Sequence, residues 1–485
     1  MIYVRALIYY TILVGFLLFL RYKNVYIRYY RFLKTKKPIY LFYMNIAIYT
    51  ILIILQAICI KYPNKGKKLP LEDDVAHEAI VIIACHCSAD EIGKTVSALL
   101  NTFAAERIFI ADNGSSMHPI DSTREHVMQL GIPENNYYYF PVPGKTSALL
   151  GTAKKVKESC NINFNYVVLI DDDTLVPNEF AIPKYNFRDE NVACITYGIE
   201  VPKQDTFVEM CADFDYKIWT WRNYWRSKWT TLKFAVGIFV VWREDIFFKV
   251  YSQAPTQMPG GLPFGEDGHC GRIARSMGYK IRQELKYSVR TYAPPILFPP
   301  LISQKNERVT GYGAVSMHKQ RSFRWYRNYP RRIFVELYLF LTYNCKPPLS
   351  ARFYYAKLIL KNIAYRIDYL YGWFLIFQAV NVPTSLILMV LHNSYWNWFY
   401  VHILFITSGI FSFALFNFYV LRNRSDLQVK HNVTIVLYPL FTTFIVFSRF
   451  FGFIGSIIYY IPFVAPYKSC WNQDVPCKKD KLECC

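Results

Sequence analysis

Hydrophobic and polar positions divide the chain into three regimes. Two long apolar runs come first: Ile2–Leu20, broken only by Arg5, and the cleaner Ile39–Ile60. Each is long enough to cross a bilayer as a helix. The first lacks a small-residue cleavage site, so it predicts an anchor rather than a signal peptide. A lysine-rich polar linker, Lys61–Leu71, follows. From about Glu72 to Arg332, strand-like segments alternate with helix-like ones, the pattern of an α/β domain. Ala79–Ala84 predicts a strand and Asp90–Leu100 a helix. Arg107–Ala111 predicts a strand ending in Asp112-Asn113-Gly114, and Val167–Ile170 a buried strand. Long apolar runs then return as Tyr371–Leu391, Trp398–Leu421 and a stretch within Val433–Phe463. Ile333–Tyr343 is too short to span and suits an interfacial position. The resulting organisation is an anchor of one or two helices at 1–70, an α/β domain at 71–332, an interface helix with membrane helices at 333–465, and a cysteine-bearing tail at 466–485.

Composition sharpens this division. The chain is 53% hydrophobic and 18% aromatic, and most of that excess sits at its two ends, leaving a polar middle. The formal charge of +21 arises largely beside the apolar runs, without a nucleic-acid module or basic low-complexity tail. It therefore points to membrane lipids and away from nucleic acid. Arg422, Arg424 and Lys430 put the loop between the last two long runs on the cytoplasmic side. Arg21–Lys37, basic and free of acids, argues the same for its own loop. If both N-terminal runs span, however, that loop and the α/β domain lie on opposite sides. Either the charge rule fails there or the first run lies on the surface. The expectation is a multi-pass membrane protein with its α/β domain facing the cytoplasm. Twelve cysteines include no C-x-x-C pair, and the tail's Cys470, Cys477, Cys484 and Cys485 suit disulfides outside or palmitoylation inside.

The chemistry concentrates in the middle. Val167–Ile170 runs straight into Asp171-Asp172-Asp173, and like charges at the end of a core strand call for a cation. Spaced as D-x-D, Asp171 and Asp173 suit Mn²⁺ or Mg²⁺, which take one or two carboxylates and complete their shell with phosphate oxygens. Asp112, at another strand end, can accept hydrogen bonds from a nucleoside or form a local turn. Pro143-Gly144-Lys145-Thr146 imitates the end of a phosphate-binding loop. Tyr139 stands where that loop needs glycine, which argues against an ATPase and leaves Lys145 as a nucleotide-contacting cation. Glu266 and Asp267 precede a predicted helix, His269–Met277, whose positive end keeps a carboxylate ionised for work as a base. Arg321 and Arg324 lie one helical turn apart with Trp325 beside them, a pair for phosphate and a flat face for a sugar ring. Trp221, Trp225 and Trp229 form an i, i+4, i+8 stripe that suits a lipid-anchoring helix or, as the weaker alternative, an acceptor surface. Cys85-His86-Cys87 looks metal-like, yet neighbouring strand side chains point to opposite faces and cannot converge.

Taken in order, these motifs resemble the membrane-embedded family 2 glycosyltransferases, to which hyaluronan, chitin and cellulose synthases belong. The resemblance covers roughly Ala79 to Trp325. It implies a GT-A (Rossmann-like) domain on the cytosolic side, flanked by transmembrane helices. Asp112, Lys145 and Asp171 would then contact uridine diphosphate, and Asp171 and Asp173 would hold the metal. Asp267, with Glu266 beside it, would be the catalytic base. Arg321, Arg324 and Trp325 match the (Q/R)-x-x-R-W motif that closes over donor and acceptor, with Gln320 one place early. The implied reaction is inverting transfer from a UDP-sugar to a growing β-linked polysaccharide, exported through the membrane region. Asn113 stands where many relatives carry a second Asp, and Gly268 where chitin synthases usually carry Arg, which leaves the sugar unassigned. About five spans are fewer than the larger synthases have, so a full channel calls for a partner or a second copy. Two alternatives stay open: single addition to a lipid acceptor, as in ceramide glucosyltransferases, and a transporter or channel with a soluble domain. The second finds thin support in Arg449, the sole deep charge of the last three long runs.

Overall fold

The computed structural model describes residues 47, 50–51, 53–114, 117–119, 121–141, 144–160, 162–232, 234–257, 266–298, 316–318, 320–321, 395–429 and 431–459. The chain separates into two compact units, one formed by Met1–Lys61 with Tyr371–Pro466 and the other by Tyr62–Leu370 with Tyr467–Cys485.

The second unit is built on one mixed eight-stranded sheet. Its strands are β1 (Ala79–Cys85), β2 (Ile108–Asn113), β3 (Tyr137–Phe140), β4 (Tyr166–Asp171), β5 (Thr174–Leu175), β6 (Val192–Glu200), β7 (Phe239–Arg243) and β8 (Lys280–Thr291). They stand in the order β3-β2-β1-β4-β7-β6-β8-β5. The first four in that order are parallel, while β7 runs antiparallel to both β4 and β6. The sequence explains why β1 is central. All seven of its residues are buried, as expected for a strand covered on both faces.

Successive side chains feed two cores. Val81, Ile83, Ile110 and Val168 pack beneath α1 (Ile92–Leu99) and α2 (Thr123–Gln129). Ile80, Ile82, Phe109 and Val167 pack beneath α3 (Lys145–Ser159), α5 (Glu244–Gln257) and α6 (Glu266–Ser276). Each buried Val or Ile contributes about 1.5–3 kcal/mol. A one-residue slip would turn every one of them to the wrong core, so the register is strongly specified. The predicted strands at Ala79, Arg107 and Val167 are therefore found, each within a residue or two of its expected bounds.

Helix α4 (Phe207–Trp229) starts with a capping box: Thr206 accepts from Glu209 N, and the Glu209 side chain accepts from Thr206 N. It packs against β6 and β8, and here the structure corrects the lipid-anchor expectation. Trp221 is only 1% exposed, and Trp219 stacks on Phe234 with ring centroids 5.4 Å apart. The same helix buries a Lys217–Asp213 ion pair at 2.5 Å. A tryptophan stripe at helical spacing serves a protein core as readily as a bilayer, and at Trp221 the core wins. The side chain of Trp229 lies outside the described residues.

The expected linker is also part of this unit. Tyr62 is buried, Gly66 N donates to Lys286 O at 2.8 Å, and the Tyr287 hydroxyl donates to Lys67 O at 2.6 Å. The segment therefore lies along β8.

In the other unit the described part of the second apolar run is helical at 47, 50–51 and 53–59. Helix α7 (Tyr395–Ala414) continues into a π-helical turn, Leu415–Val420, and α8 (Val433–Tyr459) carries Pro439. A Cβ added at Gly409 would lie 2.9 Å from Pro439 Cγ, so α7 and α8 approach closely there. Ile403–Val420 is the one helix among the described residues long and apolar enough to cross a membrane, with Val433–Ile445 a shorter apolar stretch. Arg424, read above as a topology signal, is 2% exposed and hydrogen-bonds Asp426 through Nε at 3.0 Å, so its charge is matched locally. The runs Ile2–Leu20, Ile333–Tyr343 and Tyr371–Leu391, the cysteine tail and the side chain of Arg449 lie outside the described residues.

Candidate active site

In an open α/β sheet, ligands gather beyond the carboxyl ends of parallel strands, where the chain switches from one side of a strand to the other. Here that place is the end of β1, with β2 on one side and β4 on the other. Register sets Cys85 against Asp112 and Ala84 against Asp171. Two carboxylates predicted from sequence thus flank the same strand end.

The acidic triplet closes β4 and opens the turn that follows it. Its three carboxylates go to three separate elements. Asp171 Oδ1 pairs with Lys145 Nζ at 2.5 Å, at the start of α3. Asp172 accepts from the Ser88 hydroxyl, in the loop after β1. Asp173 accepts from Thr291 Oγ1 at 3.3 Å, at the end of β8. Burial pushes Asp172 up to about 6 and drives Asp173 well above the ordinary carboxylate range, with the neighbouring aspartates adding to both.

Lys145 joins two halves of the site. Besides Asp171, its ammonium meets Glu266 Oε1 at 3.0 Å. Gly144 N donates to Asn113 Oδ1 at 2.7 Å and so ties the start of α3 to the end of β2. Glu266 and Asp267 belong to the first turn of α6, which starts three residues earlier than the predicted helix. Gly271 lets α6 come close: a Cβ there would stand 2.6 Å from Phe234 Cα. Gly237 faces the same spot, and a Cβ on it would meet Asp267 Cβ at 3.5 Å, Glu266 Oε1 at 3.6 Å and Lys145 Nζ at 4.0 Å.

Asp267 is half-buried, and its Oδ1 accepts from Gly268 N at 2.6 Å. The sequence suggested that the helix end alone would keep this carboxylate ionised. Burial and Glu266 instead raise it to about 6, against the opposing pull of Gly268 N, Lys145 and Arg272. A group poised there can take a proton near neutrality. Asp112 is 3% exposed, accepts from the Tyr137 hydroxyl, and is raised by burial to about 6.

Arg321 is held by α4. It is buried, with Nη2 3.0 Å from Asp215 Oδ2 on α4 and its guanidinium 5.8 Å from the centre of the Tyr216 ring. Arg324 and Trp325 lie outside the described residues. In the Cys-His-Cys run, Cys85 faces the apolar core, while Cys87 takes φ 53° and its Sγ lies 3.7 Å from His86 Nε2. No group of three or more His, Cys, Asp and Glu side chains among the described residues could hold a metal. Asp171 and Asp173 nevertheless fit one in the manner typical of Mg²⁺ or Mn²⁺, as two carboxylates whose remaining partners are phosphate oxygens. Burial and the neighbouring carboxylates raise Asp173, a cost that a bound cation would offset.

Residues 77–328, just over half of the chain, match the model described as "Glycosyltransferase like family 2". The chain belongs to that family. The transferase has the GT-A-like α/β fold with its mixed sheet. Comparison with curated proteins finds no match by sequence. Among solved structures it is similar to the mannosyltransferase PcManGT from Pyrobaculum calidifontis in complex with GDP-Man and Mn²⁺, at 14% identity over 87% of this chain and 98% of that one, TM-score 0.45. It is also similar to S. aureus TarS, at 13% identity over 56% of this chain and 40% of that one, TM-score 0.33. GalNAc-T7 with UDP, GalNAc and Mn²⁺ aligns at 15% identity over 47% of this chain and 46% of that one, TM-score 0.33.

Sequence inspection missed several residues that shape this glycosyltransferase site. Asp172 was the unnamed middle of D-x-D, and Ser88, Thr291, Tyr137 and Asp215 are ordinary polar residues in the sequence. The one available signal was position, since Ser88 lies three residues beyond the end of a fully buried strand.

Proposed function

We propose that the protein is an inverting, metal-dependent transferase that moves a sugar from a UDP-sugar to a growing β-linked polysaccharide at a membrane. The carrying observation is the Lys145 bridge, 2.5 Å from Asp171 and 3.0 Å from Glu266, which brings a donor-side acid and an acceptor-side acid pair to one cation. In this scheme Asp112 contacts the uracil or ribose, and Lys145 contacts the diphosphate. Asp171 and Asp173 would hold Mn²⁺ or Mg²⁺, which neutralises charge on the departing diphosphate when bound. Asp267 removes the proton from the acceptor hydroxyl as that oxygen attacks in line, with Glu266 holding Lys145 beside it. Arg321, Arg324 and Trp325 close over donor and acceptor, which requires Arg321 to exchange Asp215 for phosphate. The domains are an anchor at 1–70, the catalytic domain at 71–332, membrane helices at 333–465 and a tail at 466–485. The catalytic domain faces the cytoplasm and the product leaves through the membrane unit.

The test uses the full chain in nanodiscs with Mn²⁺ and UDP-glucose, UDP-N-acetylglucosamine or UDP-glucuronate, singly and mixed. UDP release and product size are read together, with Asp267→Asn as the blank. High-molecular-weight product supports the polysaccharide reading. A lipid-linked monosaccharide overturns it in favour of single addition, and silence with every donor removes the UDP-sugar assignment.

A further inference from the structure

The middle carboxylate of the triplet has its own set of attachments, none of them shared with Lys145. Asp172 accepts from Ser88 Oγ, and its backbone carbonyl accepts from Thr95 Oγ1 of α1 at 2.7 Å. Ser88 is 5% exposed and Thr95 fully buried, so neither contact is a surface accident. Ser88 is itself fixed within its loop. Its Oγ accepts from His86 N at 3.2 Å, and its own N–H donates to Thr123 Oγ1 at 3.1 Å. Thr123 Oγ1 donates to Asp121 Oδ2 at 2.7 Å, and that same oxygen accepts from Ala89 N at 3.2 Å. A continuous chain of hydrogen bonds therefore runs from the turn after β4 through Ser88 to the start of α2.

We infer that Asp172 is a positioning residue that locks the loop after β1 to the acidic turn, so that both donor-facing walls move as one body. This rests on the proposed donor role of Asp171 and Asp173. The physical case is that Asp171 ends a short strand and Asp173 lies in the turn just beyond it, and neighbouring carboxylates there splay under their repulsion unless the turn is braced. Asp172 is held by the Ser88 hydroxyl, and Lys145 favours its charged form less strongly than that hydrogen bond does. Its role is thus geometric, and an amide of the same shape should perform it, since Asn keeps the oxygen that accepts from Ser88 and Thr95 bonds the main chain. Removing a buried hydrogen-bond partner leaves the other unsatisfied and loosens both segments.

The experiment compares wild type, Asp172→Asn, Asp172→Ala, Ser88→Ala and the Asp172→Ala/Ser88→Ala double variant, as full chains in nanodiscs. Three quantities are read: UDP affinity with Mn²⁺ by calorimetry, donor KM against kcat, and hydrogen exchange of the amides at 86–91 without any ligand. Asp172→Ala and Ser88→Ala should each weaken UDP binding and raise KM by about tenfold with kcat within about threefold, and the double variant should be no worse than either. Both should speed exchange at 86–91, and Asp172→Asn should restore all three readings to near wild type. Unchanged exchange in Ser88→Ala, or Asp172→Asn as damaging as Asp172→Ala, overturns the brace. The exchange reading needs no donor. A wild type that ignores UDP while the two alanine variants still open the loop removes the donor assignment and leaves the brace standing.

Discussion

Lys145 Nζ and Asp171 Oδ1 lie 2.5 Å apart, and the same ammonium reaches Glu266. The acid at the end of β4 and the first acid of α6 are thus joined by one side chain from a third element. Removing that cation leaves two half-buried carboxylates facing each other. Lys145→Met should lower kcat/KM by about 10²-fold or more, on the scale of deleting one pre-organised electrostatic partner. Lys145→Arg, too broad for the same bridge, should recover only part of it. Steady-state UDP release across donor concentrations reads both.

Asp267→Asn removes the proposed base while keeping shape. Transfer should fall by about 10²–10⁴-fold with UDP affinity within a few-fold of wild type, since general base catalysis supplies that range. Retained transfer would remove Asp267 from this role.

The pH profile has a definite sign. Asp267 is raised to about 6 by burial and Glu266, so below that value it is protonated and cannot accept a proton. The acid limb of kcat/KM should bend near pH 6, falling tenfold per unit below it, and not near 4 as for an exposed aspartate. Stability should move the other way for this group. Its folded value exceeds its unfolded one, so the native state binds the extra proton between about pH 4 and 6. The cost of the buried charge is complete above pH 6 and is relieved as pH falls through that window. Tm of Asp267→Asn relative to wild type should rise most above pH 6.

Gly271→Ala tests the approach of α6. The new methyl would stand 2.6 Å from Phe234 Cα, against backbone that cannot rotate away. A loss of about 1–3 kcal/mol is expected, with activity falling further as Glu266 and Asp267 are displaced. Denaturant melts and UDP release together separate the two effects.

Lys217→Met breaks the buried pair in α4. Asp213 keeps its bond from Val201 N at 2.9 Å yet loses the Lys217 ammonium at 2.5 Å, leaving an uncompensated buried charge. A cost of about 3–5 kcal/mol is expected. Asp213→Asn combined with Lys217→Met should recover much of it, and thermal melts of the single and double variants decide.

Much of the sheet was legible because β1, β2 and β4 announce themselves twice, as apolar runs and as runs ending in polar turns. The Asp171, Lys145, Glu266 and Asp267 assembly was legible as residue types but not as contacts. Nothing in the sequence said that Lys145 would meet acids separated from it by 26 and 121 positions. Trp221 was misjudged because helical periodicity identifies a face without saying what covers it. Asp172 escaped because a motif written D-x-D hides its middle letter, and the direction of that side chain depends on the turn. Arg321 was legible as a phosphate-type cation, whereas its partner Asp215 lies on a helix whose role the pattern did not disclose.

The placement of Asp112 and Asp171 on either side of β1 has one more consequence. Their lateral separation is two interstrand spacings, about 9.6 Å, and it is set by main-chain hydrogen bonding. Side chains in β1 can change without altering that gauge, provided both cores stay filled. The spacing of the two main-chain points that carry these acids is therefore written into the repeat of the sheet itself, and it would survive even extensive drift in the apolar residues between them.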